Sequence, residues 1–323
     1  MSKRRLNIQQ SARVEKKQLR YRQSAGIDEH SSTKEGLVIT RFSRHALIES
    51  EDASRIQCSI RPNIDSLVAG DRIVWQALSP KQGVILSRYP RQSVLGRPDQ
   101  RGQIKPVAAN ISQIMIVIAA KPEISWPLLD SYLVMAEYLN LKACIVLNKI
   151  DLPCEHVKAR LIEQYEPLGY AIIMTSVKDT CGDTSLKHIL DHETSVFVGQ
   201  SGVGKSSLIS SILPTVTNIQ TEDISVRTAL GKHTTSSSIL YHIPTGGALI
   251  DSPGVREFGL WHMPDRAIAM GYLEFRPYLS QCKFRDCNHK DTMGCALIKA
   301  LEMGLISKDR HDNFIKISTQ FAQ

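Results

Sequence analysis

Short runs that alternate apolar and polar residues occupy the first third of the chain, and solid apolar runs alternating with helical periodicity occupy the middle. Between residues 36 and 104 the alternating runs are Gly36–Ile48, Ile56–Arg61, Asp71–Leu78 and Lys81–Tyr89, separated by polar or glycine-containing turns. A period of two puts one face of each strand in a core, and strands this short predict a small five-stranded barrel of the oligonucleotide-binding kind. Farther on, Ala143–Leu147, Ala171–Thr175, Glu193–Val198 and Ala248–Ile250 are short apolar runs that predict buried strands. Helical periodicity is read over Glu155–Tyr165, over Lys205–Leu213 up to Pro214, and over Ala296–Met303 and Lys308–Phe321. Strands alternating with helices predict a parallel α/β sheet in the middle of the chain.

The loop after Glu193–Val198 reads Gly199-Gln200-Ser201-Gly202-Val203-Gly204-Lys205-Ser206-Ser207. The spacing G-x-x-x-x-G-K-[ST] between a strand and a helix lets backbone N–H groups close around phosphates, with Lys205 on the outer phosphate oxygens and Ser206 on magnesium. A phosphate loop alone leaves ATPase, kinase and GTPase open. Asn148-Lys149-Ile150-Asp151 follows the strand Ala143–Leu147, and an aspartate there accepts both the N1–H and the 2-amino hydrogens of guanine, a donor pair that adenine lacks. Asn148 is expected to brace the loop and the Lys149 stem to cover the base. Ser176-Val177-Lys178, after the strand Ala171–Thr175, has the form of a loop whose backbone N–H meets guanine O6.

Downstream, Ala248–Ile250 delivers Asp251-Ser252-Pro253-Gly254, an acidic strand end for a water-mediated magnesium contact and a glycine N–H for the γ-phosphate. Between the two lies Gly231-Lys232-His233-Thr234-Thr235-Ser236, a first switch in which either Thr234 or Thr235 is expected on magnesium. The order is base reader, O6 loop, phosphate loop, first switch, second switch, a circular permutation of the usual GTPase order. A parallel sheet tolerates it, because the strands and right-handed crossovers stay the same while the chain ends move.

Cys282-x4-Cys287-x-His289-x5-Cys295 offers three thiolates and an imidazole within fourteen residues, the ligand set of one structural, tetrahedral Zn2+. The remaining cysteines, Cys58, Cys144, Cys154 and Cys181, are scattered and read as free thiols. Residues 1–24 carry eight Lys or Arg against Glu15 alone, in a chain whose net charge is +8, so the basicity is concentrated at one end. Such a tail grips a polyanion, and RNA is the expected one. Arg61, Arg72, Arg88, Arg91 and Arg97 near the barrel strands, and Lys283, Arg285, Lys290 and Lys299 around the zinc ligands, extend that expectation. The longest apolar run, Ile114–Ala120, is too short to span a membrane.

These segments divide the chain into a basic flexible tail (1–35), a barrel (36–104), a permuted GTPase domain (105–265) and a zinc module with helices (266–323). A DNA-binding finger regulator is disfavoured because Cys282–Cys295 is too compact for the usual long spacer. A nucleotide kinase has no use for Asn148-Lys149-x-Asp151.

The combination of NKID, GQSGVGKSS, GKHTTS, DSPGVREFGLW and the Cys-His cluster resembles the ribosome small-subunit-dependent GTPase A family (RsgA, also called YjeQ) over nearly the whole chain. The resemblance implies an oligonucleotide-binding barrel, a permuted P-loop GTPase and a zinc knuckle that dock together on the small (30S) ribosomal subunit and its 16S-type rRNA late in maturation. It implies hydrolysis of GTP to GDP with Mg2+, stimulated by that subunit, in a cytoplasmic protein expected to be monomeric, with no specific DNA. Val255 follows Gly254 where a Ras-like enzyme carries a water-orienting glutamine, and an aliphatic side chain cannot orient water. Slow hydrolysis by the free protein is therefore expected, with His233 as the group that supplies the missing polarity, and the family has a histidine at the matching place.

Overall fold

The computed structural model describes residues 15–16, 18–23, 33–64, 66–98, 104–178, 182–213, 238–251 and 263–321. The first switch with His233, Thr234 and Thr235, the stretch Ser252–Val255 with Gly254, and Cys181 lie outside them.

Five strands close the expected barrel: β1 (Thr33–Phe42), β2 (His45–Ser50), β3 (Arg55–Ile60), β4 (Arg72–Ser79) and β5 (Gln82–Arg88). Strand β1 pairs antiparallel with both β2 and β4, β2 with β3 and β4 with β5, and a parallel β3–β5 pair shuts the cylinder. Closure leaves the barrel no unpaired edge. The run read as Gly36–Ile48 is two strands, because the chain turns at Ser43, whose φ of 47° lies in the left-handed region. Val38, Ile48, Cys58, Ile73, Trp75 and Ile85 fill the interior.

Arg91 differs from the expectation of an RNA-facing side chain. Its guanidinium forks onto the fully buried Asp71, Nε–Oδ1 at 2.7 Å and a second nitrogen to Oδ2 at 2.8 Å, a bidentate geometry that holds the barrel to the segment leaving it. Arg72 likewise pairs with Glu35, and Arg61 donates to the Tyr21 hydroxyl at 3.2 Å. Tyr21 stands in a helical stretch of the basic N-terminal region, where Gln18 also reaches the Asn63 carbonyl.

A hairpin of β6 (Val94–Pro98) and β7 (Ile104–Ala109), straddling the expected boundary at 104, leads into the sheet. Its strand order is β10 (Ala171–Thr175), β9 (Lys142–Asn148), β8 (Gln113–Ala119), β11 (Thr194–Val198), β13 (Ala248–Asp251), all parallel, with β12 (Ile239–His242) antiparallel at the edge. All seven residues of β8 are buried because helices cover both faces. Ile114, Ile116 and Ile118 enter one core, and Met115, Val117 and Ala119 enter the other. On the first face lie α1 (Trp126–Tyr138) and α2 (Glu155–Gln164); α3 (Asp183–Leu190) and α4 (Lys205–Ile212) supply Leu186 and Leu208 to the second.

After α5 (Asp265–Met270) and α6 (Arg276–Leu279) come α7 (Ala296–Glu302) and α8 (Lys308–Phe321). Leu297, Ala300, Phe314 and Ile317 of the last two helices belong to the same buried cluster as Leu129, Tyr132 and Leu133 of α1. The described residues thus form three buried clusters, one in the barrel and one on each sheet face, and the C-terminal helices share the α1 face instead of building a core of their own. An ion cluster seals this junction. Arg310 of α8 bonds Asp130 of α1 and Glu274, Asn313 and Tyr165 donate to the same Asp130 at 2.7 and 2.9 Å, and the guanidinium lies over the rings of Tyr165 and Tyr272. Burial alone would lower the Arg310 pKa, yet Asp130 and Glu274 carry it well above the usual value, so the cation persists.

The barrel meets the sheet at β12, where Thr40 pairs with Ile239 and the His242 ring lies 2.7 Å from the Glu49 carboxylate. Among the described residues no helix is long and apolar enough to cross a membrane.

Candidate nucleotide site and metal centre

The carboxyl ends of β9, β10, β11 and β13 carry, in turn, Asn148–Asp151, Ser176–Lys178, the loop Gly199–Lys205 and Asp251. A parallel sheet gathers such loops at one edge, where ligands of open α/β sheets sit. Four segments spread over about a hundred residues of chain therefore converge.

Loop 199–205 owes its shape to glycine. Gly199, Gly202 and Gly204 have φ values of 135°, 82° and 96°, a region that side chains rarely adopt. Gly199 also runs so close to β8 that a Cβ would sit 2.1 Å from the Val117 carbonyl, and one on Gly204 would meet Asn148 Nδ2 at 2.3 Å. Lys205, almost fully buried, donates to the Gly199 carbonyl at 2.7 Å and to that of Gln200. Ser206 and Ser207 are exposed in the first turn of α4, while Ser201 is exposed and Val203 buried beneath the loop.

The segment Asn148–Asp151 is fastened directly to this loop. Asn148 Nδ2 donates to the Val203 carbonyl at 2.9 Å, and Lys149 Nζ donates to the Gly202 carbonyl at 2.6 Å. Lys149 itself has a φ of 61°, which turns the chain so that Asp151 faces the loop after β10. There Asp151 accepts from Ser176 Oγ at 2.9 Å and pairs with Lys178 Nζ at 3.0 Å. Lys178, then the Ser176 hydroxyl, holds the Asp151 carboxyl below the ordinary aspartate range, so it stays an acceptor through neutral pH. The partnership of Lys178 with Asp151 was not foreseen from the sequence. Its only trace there was a lysine two residues after Ser176, and a lysine on a polar loop says nothing of its partner.

The structure also brings together the four expected metal ligands. The donor atoms of Cys282, Cys287, His289 and Cys295 all lie within 4.8 Å of one another. His289 Nδ1 is 3.5 Å from the Cys282 sulfur and 3.6 Å from that of Cys295, and those sulfurs are 3.8 Å apart. A tetrahedral zinc with bonds of about 2.3 Å to sulfur and 2.0–2.1 Å to nitrogen requires edges of about 3.8 Å and 3.6 Å, so Cys282, His289 and Cys295 stand at the spacing of this ion, with the Cys287 sulfur within 4.8 Å of each to complete the set. Its folded shape is fixed from outside by His311, whose ring contacts the His289 carbonyl at 3.0 Å.

Comparison with known proteins agrees with this geometry. The family model described as RsgA GTPase matches residues 88–261. A small ribosomal subunit biogenesis GTPase RsgA 1 from Vibrio vulnificus is 47% identical, covering 90% of this chain and 85% of that protein. One from Hahella chejuensis is 44% identical over 98% of this chain and 96% of its own length. Among solved structures, YjeQ from Thermotoga maritima superposes with a TM-score of 0.73 at 30% identity, over 90% of this chain and 99% of that one. YloQ, described as a circularly permuted GTPase, gives 0.72 at 29%, over 91% and 96%. A permuted parallel sheet, a phosphate loop locked to the Asn148–Asp151 segment and these matches have one common source: the chain belongs to the RsgA GTPase family and is a P-loop enzyme that hydrolyses GTP.

Proposed function

We propose that this GTPase acts in the biogenesis of the small ribosomal subunit, as the names of its relatives state for them, and that it does so by docking on that subunit through rRNA. The observation that carries the nucleotide part is the double fastening of Asn148 and Lys149 to Val203 and Gly202, which sets base reader and phosphate cradle at one rigid spacing. GTP then lies with its guanine on Asp151 and the Ser176 loop and its phosphates over the backbone of Gly199 to Lys205. Lys205 exchanges its two loop carbonyls for phosphate oxygens and stabilises the charge that builds in the loose transition state. The Ser206 hydroxyl and the Asp251 carboxylate are hard oxygen donors of the kind magnesium takes, and that ion neutralises the phosphates when bound. Thr234 or Thr235 joins it from the first switch, Gly254 senses the γ-phosphate, and His233 orients the attacking water in place of the absent glutamine. Zinc on Cys282, Cys287, His289 and Cys295 fixes the fold of a loop-rich segment that has few core residues of its own.

The docking surface combines the basic N-terminal segment, the barrel and the zinc module, and the chain works as a cytoplasmic monomer. The deciding experiment measures GTP turnover with and without purified small subunits at low and high salt. Stimulation that fades with salt supports the proposal, and ATP bound as tightly as GTP, or turnover indifferent to subunits, refutes it. A His233→Ala chain separates the catalytic step: unchanged GTP affinity with lost stimulation supports the assignment, and unchanged stimulation removes it.

A further inference from the structure

The phosphate loop touches a second segment besides the base reader. Lys121 to Ser125 runs from the end of β8 to the start of α1 and passes over the loop, with Pro122 carbons 3.7 and 3.8 Å from where a Cβ on Gly202 would stand. The Gln200 side chain joins the two. Its Oε1 accepts the backbone N–H of Ser125 at 3.0 Å, and its Nε2 donates to the Glu123 carbonyl at 3.2 Å. Only one orientation of the amide satisfies both partners, since an N–H must meet oxygen and a carbonyl must meet NH2. Lys149 adds a bond from its Nζ to the Lys121 carbonyl at 3.1 Å.

We infer that Gln200 is a positioning residue: its side chain does not reach for phosphate but straps the phosphate loop to the start of α1, so that the cradle is set before nucleotide arrives. The inference rests on the nucleotide reading above, in which only the backbone of Gln200 faces the phosphates. Three glycines at positive φ make the loop backbone costly to order. Asn148 and Lys149 hold its later half at Val203 and Gly202, and Lys205 bonds the Gly199 and Gln200 carbonyls within the loop. The Gln200 side chain ties the first half to a segment outside the loop.

The test compares the full-length chain with Gln200→Met, which keeps the side-chain length and removes both hydrogen bonds, and with Gln200→Glu, which keeps the acceptor for Ser125 and loses the donor to Glu123. Release of a fluorescent GDP analogue, KM for GTP, the GTP-to-ATP preference and hydrogen exchange of the segment 121–128 are measured on each. Two bonds of ordinary strength predict release of the GDP analogue from Gln200→Met faster by roughly ten-fold, KM raised in proportion, faster exchange of the Ser125 amide even without nucleotide, and an unaltered preference for guanine. Gln200→Glu should keep the Ser125 amide protected. Release and exchange in Gln200→Met equal to wild type would overturn the strap alone, because wild-type binding of the GDP analogue would still stand. A wild-type chain that bound no GDP would overturn the nucleotide reading and the strap with it.

Discussion

Replacing Arg310 by methionine tests how the C-terminal module is held to the GTPase domain. The Arg310 side chain is 2% exposed and that of Asp130 is 0% exposed, so the substitution strands a carboxylate that water cannot reach. Breaking one member of such a pair costs about 3–5 kcal/mol. A second route gives a consistent ceiling. If Asp130 instead takes up a proton, the cost at pH 7 is roughly three pH units at about 1.4 kcal/mol each, or about 4 kcal/mol. At pH 5 that ceiling falls to about 1.5 kcal/mol. The sign follows from linkage: burial already holds the Asp130 carboxyl above the ordinary range against the pull of Arg310, and loss of that cation raises it further above its unfolded value. Stability is then fullest below the unfolded pKa and drains away as pH rises through the folded one. Urea unfolding at pH 5, 6, 7 and 8 measures this, with Trp126 as reporter, because its ring stacks on Tyr165 of the same cluster at 6.0 Å. Adding Asp130→Asn should restore most of the loss, since an amide oxygen still accepts from Tyr165 and the Asn313 amide can flip to suit. A deficit below about 1 kcal/mol, the same at every pH, or a double variant no better than the single one would refute the reasoning.

Other perturbations probe the site itself. Asp151→Asn should weaken GDP binding by roughly 30- to 100-fold and let a xanthine nucleotide compete, since the amide turns a donor toward the guanine N1–H; titration with both diphosphates reads this. Because Lys178 and Ser176 depress the wild-type Asp151 pKa, the preference for GDP over ADP, in which the shared titration of the terminal phosphate cancels, should stay level from about pH 8 to about pH 5 and fall only below the ordinary aspartate range; a decline of that preference between those values would contradict the pairing. Gly204→Ala forces a Cβ to 2.3 Å from Asn148 Nδ2 at a φ of 96°, so calorimetry should show at least about a ten-fold loss of GDP affinity, with strain on the order of 1–3 kcal/mol. Cys287→Ser should lower zinc measured by elemental analysis from stoichiometric to near zero and open residues 282–295 to protease; full zinc retention would argue against the four-ligand set.

What could be read from the chain alone was whatever is written in neighbouring residues. Strand β10 and helix α8 have the bounds that periodicity predicts, and the phosphate loop, the Asn148–Asp151 segment and the Cys-His cluster stand out because each is a short set of residue types at fixed spacing. Glycine at 199, 202 and 204 is legible for a local reason, the positive φ that only glycine adopts at little cost. The barrel was legible as five strands, but its first run hid a turn at Ser43, because a left-handed residue in a polar pair leaves no mark on the alternation. Arg91 looked like a nucleic-acid contact, since no local signal distinguishes an arginine facing solvent from one forked onto a buried Asp71 twenty residues away.

Tertiary structure alone decided the joints between modules. Asp130 and Arg310 stand 180 positions apart, and neither sits in a motif, yet the folded chain makes them the charged centre of a shared core. Gln200 is likewise an unconstrained position of its motif until the turn after β8 is laid across it. Local sequence sets backbone preference and side-chain chemistry, but the partner of a buried charge or a lone amide is chosen by which surfaces the chain brings together.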